Sequence, residues 1–451
     1  MNLRVFTIAR NTFIESLRQP ILLLLVLGSG LLTVLVTWMS AFSLADLESA
    51  EVQGDNKVLL DVGLSSVFLC GALIAGFIAT TAISREIENK TILTIVSKPI
   101  SRFIVVIGKF VGVAGAIIIS TTIMLVFLLL AVRHGVMSTA ADAIDKPVVI
   151  FSLSAVFLAA FGGAWGNFFY RWNFPQVMTL LLLPLIIVAY VAVLFVHKEW
   201  RFQGLLIDFK PQIMLACACL VLAILVLTSV AIAASCRLGQ VMTIMVCLGV
   251  FVLSLLSNYF VGRHVFINQN VAEIEKAFPT DPGKPGLLAP GETFEIELRN
   301  VPRPSIKPGD SFYYSPSPTG FPMLTADFPS FKGDFEKSET YLGLSTPPGL
   351  VVTKIADKKL TIKMVGGKPL YRVRPPEQDD FVFLGPTRIN YPALAVWGAF
   401  PNLQVFWLVD PVSQNRPIPA GYLVLMAGYS VCQISIFLAL AVLLFEGRDV
   451  G

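Results

Sequence analysis

The residues of this chain that are best suited to binding chemistry lie in one short connection, residues 84–102, with the sequence SREIENKTILTIVSKPISR. Its charged side chains are Arg85, Glu86, Glu88, Lys90, Lys98 and Arg102. Charged groups and hydroxyls at this density can form ion pairs and hydrogen bonds with a partner protein or with lipid headgroups. A connection that only reversed the chain between two apolar stretches could be shorter and less polar.

Patterns typical of catalysis or cofactor binding do not occur in the sequence. There is no G-x-x-x-x-G-K-[ST] phosphate loop, because Gly366-Gly367-Lys368 lacks the rest of the pattern and is followed by Pro369. No nucleophile elbow, zinc-protease helix or dinucleotide fingerprint is found. The histidines stand singly near the ends of apolar runs, and the six cysteines fall in or beside such runs. We therefore expect no enzyme activity, bound cofactor or metal in this chain.

The elements that position the connection are predicted to be membrane-spanning helices. Of the 451 residues, 55% are hydrophobic and only 14% are charged, whereas a soluble domain has about 25% charged residues. Eight stretches approach or exceed the roughly 20 apolar residues that a spanning helix needs. They lie near 20–42, 63–83, 103–132, 148–170, 176–196, 211–235, 240–260 and 420–445. Pro184 falls inside the fifth stretch, where we expect it to kink the helix without ending it.

The centres of these stretches carry almost no ionisable side chain. Transporters that couple to protons or ions need such groups at membrane depth to hold the ion. The polar residues that do occur there, such as Thr80, Ser120 and Thr121, are typical of close helix packing. If the chain takes part in transport, the energy must come from another molecule. The small net charge of +4 gives no reason to expect nucleic-acid binding.

Lysine and arginine in the short loops predict the orientation of the helices. The basic residues on one side are Arg4, Arg10, Arg18, Arg85, Lys90, Lys98, Arg102, Arg171, Arg237 and Arg448. Loop 43–62 on the other side has one lysine and several acidic residues, although 197–210 is an exception with three basic residues. The balance places both termini, including the tail of the final segment 419–451, and the connection 84–102 in the cytoplasm.

Residues 1–19 form an amphipathic segment before the first apolar stretch. Its apolar positions, at helical spacing, are Leu3, Phe6, Ala9, Phe13 and Leu17. Polar residues occupy much of the remaining circumference, which favours a helix lying along the inner membrane surface. The alternative is that this segment is the cytoplasmic start of the first spanning helix.

Residues 261–418 form a polar insertion before the last apolar stretch. The insertion holds 21 of the 28 prolines, and its 17 lysines and arginines are balanced by 16 acidic residues. Phe294, Ile296 and Leu298 alternate with polar residues, and 350–365 reads as two strands. We expect a small all-β domain of the sandwich type on the extracytoplasmic side. It could handle substrate, dock an envelope partner or form a passive cap.

Several groups of residues together resemble the ABC-2 type permeases, the membrane subunits of one class of ABC transporter. In that family the first cytoplasmic loop has a glutamate-rich helix start, followed by threonine, leucine, proline, arginine and lysine. The matching residues here are Glu86, Glu88, Thr91, Leu93, Pro99, Arg102 and Lys109, with Lys90 where many members have glycine. Residues 2–19 look like the family's interfacial helix, and 445–449 is similar to its C-terminal F-x-x-R-D. Pro401-Asn402-Leu403 looks like the segment before the family's final helix.

The predicted architecture is an α-helical polytopic membrane protein with about eight spans, in which a six-span ABC-2-like core carries an inserted mainly-β domain. The resemblance implies a homo- or heterodimer of permeases with two cytoplasmic ATP-binding subunits, which would hold ATP and magnesium. The coupling residues that the ATPase would contact are Glu86, Glu88, Lys90, Thr91, Leu93, Pro99 and Arg102. On this basis we expect the permease subunit of an exporter in the bacterial inner membrane.

The connection 84–102 has the composition of a rigid contact. Ser84 can cap a helix, and Glu86 and Glu88 in its first turn would be favourable against the helix dipole. Pro99 would end this helix before the next span. A short helix fixed to two spans can convert a push from an ATPase into helix tilt. The simpler alternative is a basic loop that binds lipid headgroups.

Two other functions fit the same sequence. An ATPase-driven component for mechanotransmission or envelope assembly would move no solute, and its domain 261–418 would pull on or signal to an outside partner. A membrane anchor or receptor would need no ATPase at all.

Overall fold

The computed structural model describes residues 2–39, 48–84, 101–136, 144–281, 289–303, 305–316, 347–367, 375–383, 385–409 and 421–446, together with single positions or pairs between 331 and 345 and at 412, 418 and 419. Contacts divide the chain into two units. The first, formed by Met1–Ser254 and Leu403–Gly451, is helical. The second, Leu255–Asn402, is mainly β.

Eight of the described helices are long and apolar enough to cross a membrane, which is the number that the sequence predicted. In chain order the helices are α1 Asn2–Leu17, α2 Pro20–Met39, α3 Glu48–Ala82, α4 Arg102–His134, α5 Lys146–Tyr170, α6 Phe174–Phe195, α7 Pro211–Ser235, α8 Gln240–Ser257, α9 Tyr391–Ala399 and α10 Gly421–Glu446. The candidate spans are all of these except α1 and α9. The protein is therefore a helical, multi-pass membrane protein.

Polar side chains cap the starts of two spanning helices. Asp145 accepts a hydrogen bond from the backbone N–H of Val148 at the start of α5, and Asn173 accepts one from Gln176 at the start of α6. Pro184 lies inside α6, and the helix continues beyond it to Phe195. The prediction that this proline does not end the span is confirmed, since membrane helices tolerate proline where neighbours compensate.

Helix α4 is the central element of the helical unit. It contacts α1, α2, α3, α5, α6, α7 and α10. Its middle is buried, with Ile117, Ile123 and Met124 fully inaccessible. With 33 residues, α4 is about 50 Å long, whereas the hydrocarbon core of a bilayer is about 30 Å thick. A displacement of α4 would therefore also move most of the helices of this unit.

Helix α1 packs along the first turns of α4 at very short range. A Cβ atom at Gly112 would lie 2.5 Å from the carbonyl oxygen of Ala9, and one at Gly108 would also clash with α1. Two glycines four residues apart let helix backbones approach closely. Leu3 and Phe6 of α1 are exposed, as expected for a face that contacts lipid. Since α1 and α2 are separate helices, α1 is not a continuous extension of the first span.

The second unit contains one large antiparallel sheet and one separate strand pair. The strands are β1 Phe266–Ile267, β2 Asn270–Pro279, β3 Thr293–Leu298, β4 Tyr313–Ser315, β5 Gly349–Ala356, β6 Lys359–Val365, β7 Phe381–Phe383 and β8 Arg388–Ile389. The order in the large sheet is β4-β7-β2-β3-β6-β5, and β1 pairs with β8. As the alternation predicted, Phe294, Ile296 and Leu298 of β3 are buried, and β5 and β6 are the two strands expected in 350–365.

The six-stranded sheet curves so that the chain just before one edge strand, β4, hydrogen-bonds to the other edge strand, β5. Just before β4, the N–H of Gly309 donates to Val352 O and the N–H of Phe312 donates to Leu350 O, both at 2.8 Å, whereas β4 itself pairs with β7. Two register shifts in β2 bend that strand, as bulges do. The described strands thus surround one core in a barrel-like sheet, in place of the two-layer sandwich expected from the sequence. The alternation of apolar and polar residues predicts which side chains of a strand are buried, but it does not predict whether the sheet closes into a barrel.

The segment after α9 packs with the helices. Leu403, Phe406 and Val409 are buried in the hydrophobic core of the helical unit. The N–H of Leu403 donates to Ser254 Oγ at 2.6 Å. The sequence predicted that 403–418 belongs to the polar insertion, because prolines surround it. Its apolar side chains need a buried surface, and the described part packs against both α7 and α10.

Candidate functional site

The structure fixes both ends of the connection 84–102. Residues 85–100 lie outside the described residues, so the predicted roles of Glu86, Glu88, Lys90, Thr91, Leu93 and Pro99 stay predictions. The same holds for a helix cap by Ser84. What the structure does show is that Ser84 Oγ donates a hydrogen bond to Leu238 O at 3.1 Å, in the turn between α7 and α8. The first end of the connection is therefore attached to this turn.

The second end is held by Arg102, the one predicted coupling residue within the described residues. Its Nη1 atom donates to Phe445 O at 2.7 Å and to Glu446 O at 2.8 Å. The guanidinium carbon lies 5.5 Å from the centroid of the Phe445 ring. These carbonyls end α10, where unpaired C=O groups and the helix dipole attract a cation. Arg102 thereby ties the start of α4 to the last helix, and it joins two of the motifs that carried the family resemblance.

A second arginine contacts the same helix end. Arg237 Nε, in the turn between α7 and α8, donates to Leu444 O at 2.9 Å. Together, Ser84, Arg102, Arg237, Leu238 and the end of α10 form what we call the loop anchor. Sequence reasoning used Arg237 only for orientation, because nothing in the sequence shows that the carbonyls of 444–446 lie beside it.

At the same end of the helical unit, further hydrogen bonds connect the junction of α1 and α2 to α3 and α6. Gln19 Nε2, between α1 and α2, donates to Thr81 Oγ1 near the end of α3. Arg18 Nε donates to Gln176 Oε1 at 3.0 Å, at the start of α6. At this end of the unit, Arg18, Arg102 and Arg237 are each hydrogen-bonded to a neighbouring helix.

The opposite end of the helices contains a buried ion-pair network that sequence reasoning missed. Arg133, at the end of α4, contacts Asp145 Oδ2 at 2.8 Å and Asp208 Oδ2 at 3.0 Å. The side chains of Arg133 and Asp145 are 8% and 0% exposed, whereas that of Asp208 is 27% exposed. The only signal in the sequence was the placement of opposite charges just outside three apolar stretches. The network joins α4 to the start of α5 and to the connection before α7.

The acidic run 377–380 of the second unit takes part in structural contacts. Asp380 Oδ2 accepts a hydrogen bond from the N–H of Glu377 at 2.9 Å. Arg299 pairs with Asp379 at 2.6 Å and with Glu273 at 2.7 Å. The hydrogen bond to Asp379 and the charge of Glu273 raise the pKa of Arg299, which stays protonated at every physiological pH. Within the described residues, no group of three or more His, Cys, Asp or Glu side chains could hold a metal ion.

Comparison with known protein families finds a match over the part of the chain that contains Ser84 and Arg102 of the loop anchor. Residues 6–166, about a third of the chain, match the family model described as ABC-2 family transporter protein. The resemblance to the ABC-2 type permeases is confirmed. No curated protein and no solved structure matches the chain. The ABC-2 region runs from α1 into α5, so it includes the whole connection 84–102 and Arg102. Permeases of this family generally pair with an ATP-binding subunit and are generally not catalytic themselves.

Proposed function

We propose that this permease is the membrane subunit of a bacterial exporter, driven by a separate ATP-binding subunit that docks on the connection 84–102. ATP and magnesium would bind in that partner. Loop lysines and arginines support a cytoplasmic position for both termini and for the loop anchor. The β unit would then lie outside the cytoplasm, and two permeases, identical or different, would form the complete transporter in the inner membrane.

The observation that carries this proposal is the attachment of both ends of the connection to the helical unit. Ser84 bonds to the turn between α7 and α8, and Arg102 bonds to the end of α10. A partner that pushed on residues 85–100 would therefore act on α3, α4, α7 and α10 together. An unattached loop would yield to the same force without moving the spans.

The lengths of the two flanking helices suit this role. Helix α3 has 35 residues and α4 has 33, whereas about 20 residues suffice to cross a bilayer. Long rigid helices carry a displacement from one membrane surface to the other as a rigid-body tilt. At its other end, α4 is joined by the Arg133 ion pairs to Asp145 and Asp208. A tilt of α4 would therefore also displace the connections before α5 and α7.

Co-purification tests the proposal directly. The tagged full chain is expressed in its native host, and associated proteins with a phosphate-loop sequence are identified by mass spectrometry. Glu88→Arg reverses a charge in the proposed contact, and Pro99→Ala removes the predicted helix stop. We expect both changes to reduce recovery of the ATPase at least tenfold, and Arg201→Glu, in a connection at the other end of the helices, to leave recovery unchanged. If no ATPase is recovered with the unmodified chain, the permease function is wrong and a membrane anchor or receptor is favoured.

Mechanotransmission without solute transport is the second candidate. The observation that favours it is the size of the β unit, which has its own hydrophobic core. Here the ATPase would use the same loop anchor, and the output would be a pull on an outside partner. Purified complex in liposomes distinguishes the two functions. Stimulation of ATP hydrolysis by a lipid, drug or peptide supports export, and a flat response to all three classes supports mechanical work.

A further inference from the structure

A groove opens between the end of α1 and the turn that joins α5 to α6. Its volume is about 760 Å³, and its lining includes Arg18, Arg171, Trp172, Gln176 and Leu181. All these residues belong to the helical unit. The connection 84–102 contributes no residue to the lining among the described residues, so the groove is a feature separate from the proposed ATPase contact.

One wall of the groove carries pre-positioned positive charge. Arg18 is held through Nε by Gln176 Oε1 at 3.0 Å. Among the described residues, no carboxylate pairs with Arg18 or Arg171. The start of α6, the positive end of its helix dipole, lies at the same place. The groove therefore attracts an anion.

The turn that presents Arg171 has a fixed shape. Arg171 has a left-handed backbone with φ 55°, and the N–H of Trp172 donates to Gly166 O at 3.1 Å. Asn167 Nδ2 donates to Trp172 O at 2.7 Å. A Cβ atom at Gly166 would lie 2.8 Å from the Trp172 ring, so the ring rests directly on α5. These contacts fix the backbone that carries Arg171 at the edge of the groove.

The other wall of the groove is apolar and faces outward. Leu180 and Leu181 of α6 and Trp172 are 38%, 37% and 54% exposed. The exposed apolar surface continues on α5 with Phe168 and Phe169. Both helices are long and apolar enough to cross a membrane, so we expect this wall to face lipid chains. Tryptophan at such a position is typical of the membrane–water interface.

We propose that the groove binds one anionic phospholipid of the adjacent leaflet. The lipid phosphate lies between the guanidinium groups of Arg18 and Arg171, and an acyl chain runs along Leu180 and Leu181. A soluble anion would need the charged wall but not the apolar one, whereas a phospholipid matches both. By holding α1 to the α5–α6 turn, the lipid would fix the angle between α1 and the spanning helices. The inference does not depend on the ATPase partner.

Native mass spectrometry of the full chain, purified in detergent and titrated with defined lipids, tests the inference. The probes are phosphatidylglycerol, zwitterionic phosphatidylcholine and inorganic phosphate. The variants are Arg18→Gln, Arg171→Gln, the double change, and a double change of both arginines to lysine. Arg201→Gln is the matched control, because it removes one exposed cation from a connection at the other end of the helices.

The expected result is a roughly fivefold loss of phosphatidylglycerol affinity for each guanidinium removed, and roughly 25-fold in the double glutamine variant. The lysine pair keeps most of the affinity, Arg201→Gln keeps all of it, and phosphatidylcholine binds more weakly than phosphatidylglycerol throughout. If the double glutamine variant fails to fold, the single changes and the lysine pair give the same comparison. Unchanged phosphatidylglycerol binding in the glutamine variants overturns the proposal. Displacement of the lipid by inorganic phosphate, or equal binding of phosphatidylcholine, overturns it as well.

Discussion

Arg102 joins parts of the chain that are 343 positions apart. Its guanidinium bonds to two carbonyl oxygens at the end of α10 and lies over the ring of Phe445. An arginine suits this place because its planar group can donate to two acceptors while stacking on an aromatic ring. The sequence suggested that Arg102 and Phe445 belong to family motifs, but it did not show that they touch.

Replacement of Arg102 should weaken the loop anchor. Arg102→Ala removes two charge-assisted hydrogen bonds, and we expect it to lower the stability of the helical unit by about 1.5–3 kcal/mol. Arg102→Lys keeps the charge and should recover part of this loss. Thermal unfolding in detergent measures the effect. The exposed Arg201→Ala is the control, with an expected change within about 0.5 kcal/mol. Equal midpoints for Arg102→Ala and Arg201→Ala would show that the contact contributes nothing.

The two aspartates that contact Arg133 should differ in their effect on stability. Asp145→Ala leaves the buried Arg133 without its closest partner and removes the cap of α5, so we expect a loss of about 3–5 kcal/mol. Asp208 is partly exposed, and water can replace it, so Asp208→Ala should cost clearly less. Unfolding of the two single variants and the double variant measures both effects and their coupling. A larger loss for Asp208→Ala would contradict this account of the network.

At the scale of elements, glycine determines how α1 meets α4. Gly108 and Gly112 face α1 so closely that a methyl group would meet the backbone or side chains of α1. The sequence predicted an amphipathic helix at residues 1–19, because that property follows from the spacing of its apolar residues alone. It did not predict that α1 lies on α4, since the motif GKFVG is also compatible with packing against any other helix.

Addition of one methyl group to α4 should disturb α1. In Gly112→Ala the new Cβ would lie 2.5 Å from Ala9 O, a backbone atom that cannot rotate away, so we expect a loss of about 1–3 kcal/mol. Gly249→Ala in α8 is the matched control, since nothing lies within 4 Å of its Cβ. Alanine's higher helix propensity should make that variant neutral or stabilising by up to about 1 kcal/mol. Thermal unfolding would show the contrast, and similar behaviour of the two variants would mean that α1 does not pack as described.

At the scale of the whole molecule, the chain combines a helical unit with a β unit inserted before its last span. Composition and apolar run length predicted the spans and the polar insertion, because a membrane helix needs about 20 apolar residues whatever its neighbours are. Closure of the sheet and the return of 403–409 to the helical core depend on contacts between distant residues. The local pattern of apolar and polar residues does not predict contacts between distant residues, so these two features were found only in the structure.

The β unit should be removable without loss of the helical unit. Its first and last strands pair directly, with Phe266 opposite Ile389 and Ile267 opposite Arg388. An Asn-Gly turn in place of 268–387 fits two antiparallel strands at this spacing. We expect the shortened chain to insert into membranes and to keep the thermal midpoint of the helical unit. Aggregation or a strongly lowered midpoint would show that the helices need the β unit to fold.

The central claim is that a separate ATPase contacts the connection whose two ends the loop anchor holds. The most direct measurement is photo-crosslinking in cells from a reactive amino acid at position 88, with position 201 as the control. The account predicts a crosslink from position 88 to a protein with a phosphate-loop sequence, altered when ATP hydrolysis is blocked, and none from position 201. If position 88 captures only lipid, or captures the same proteins as position 201, the connection is not the ATPase contact.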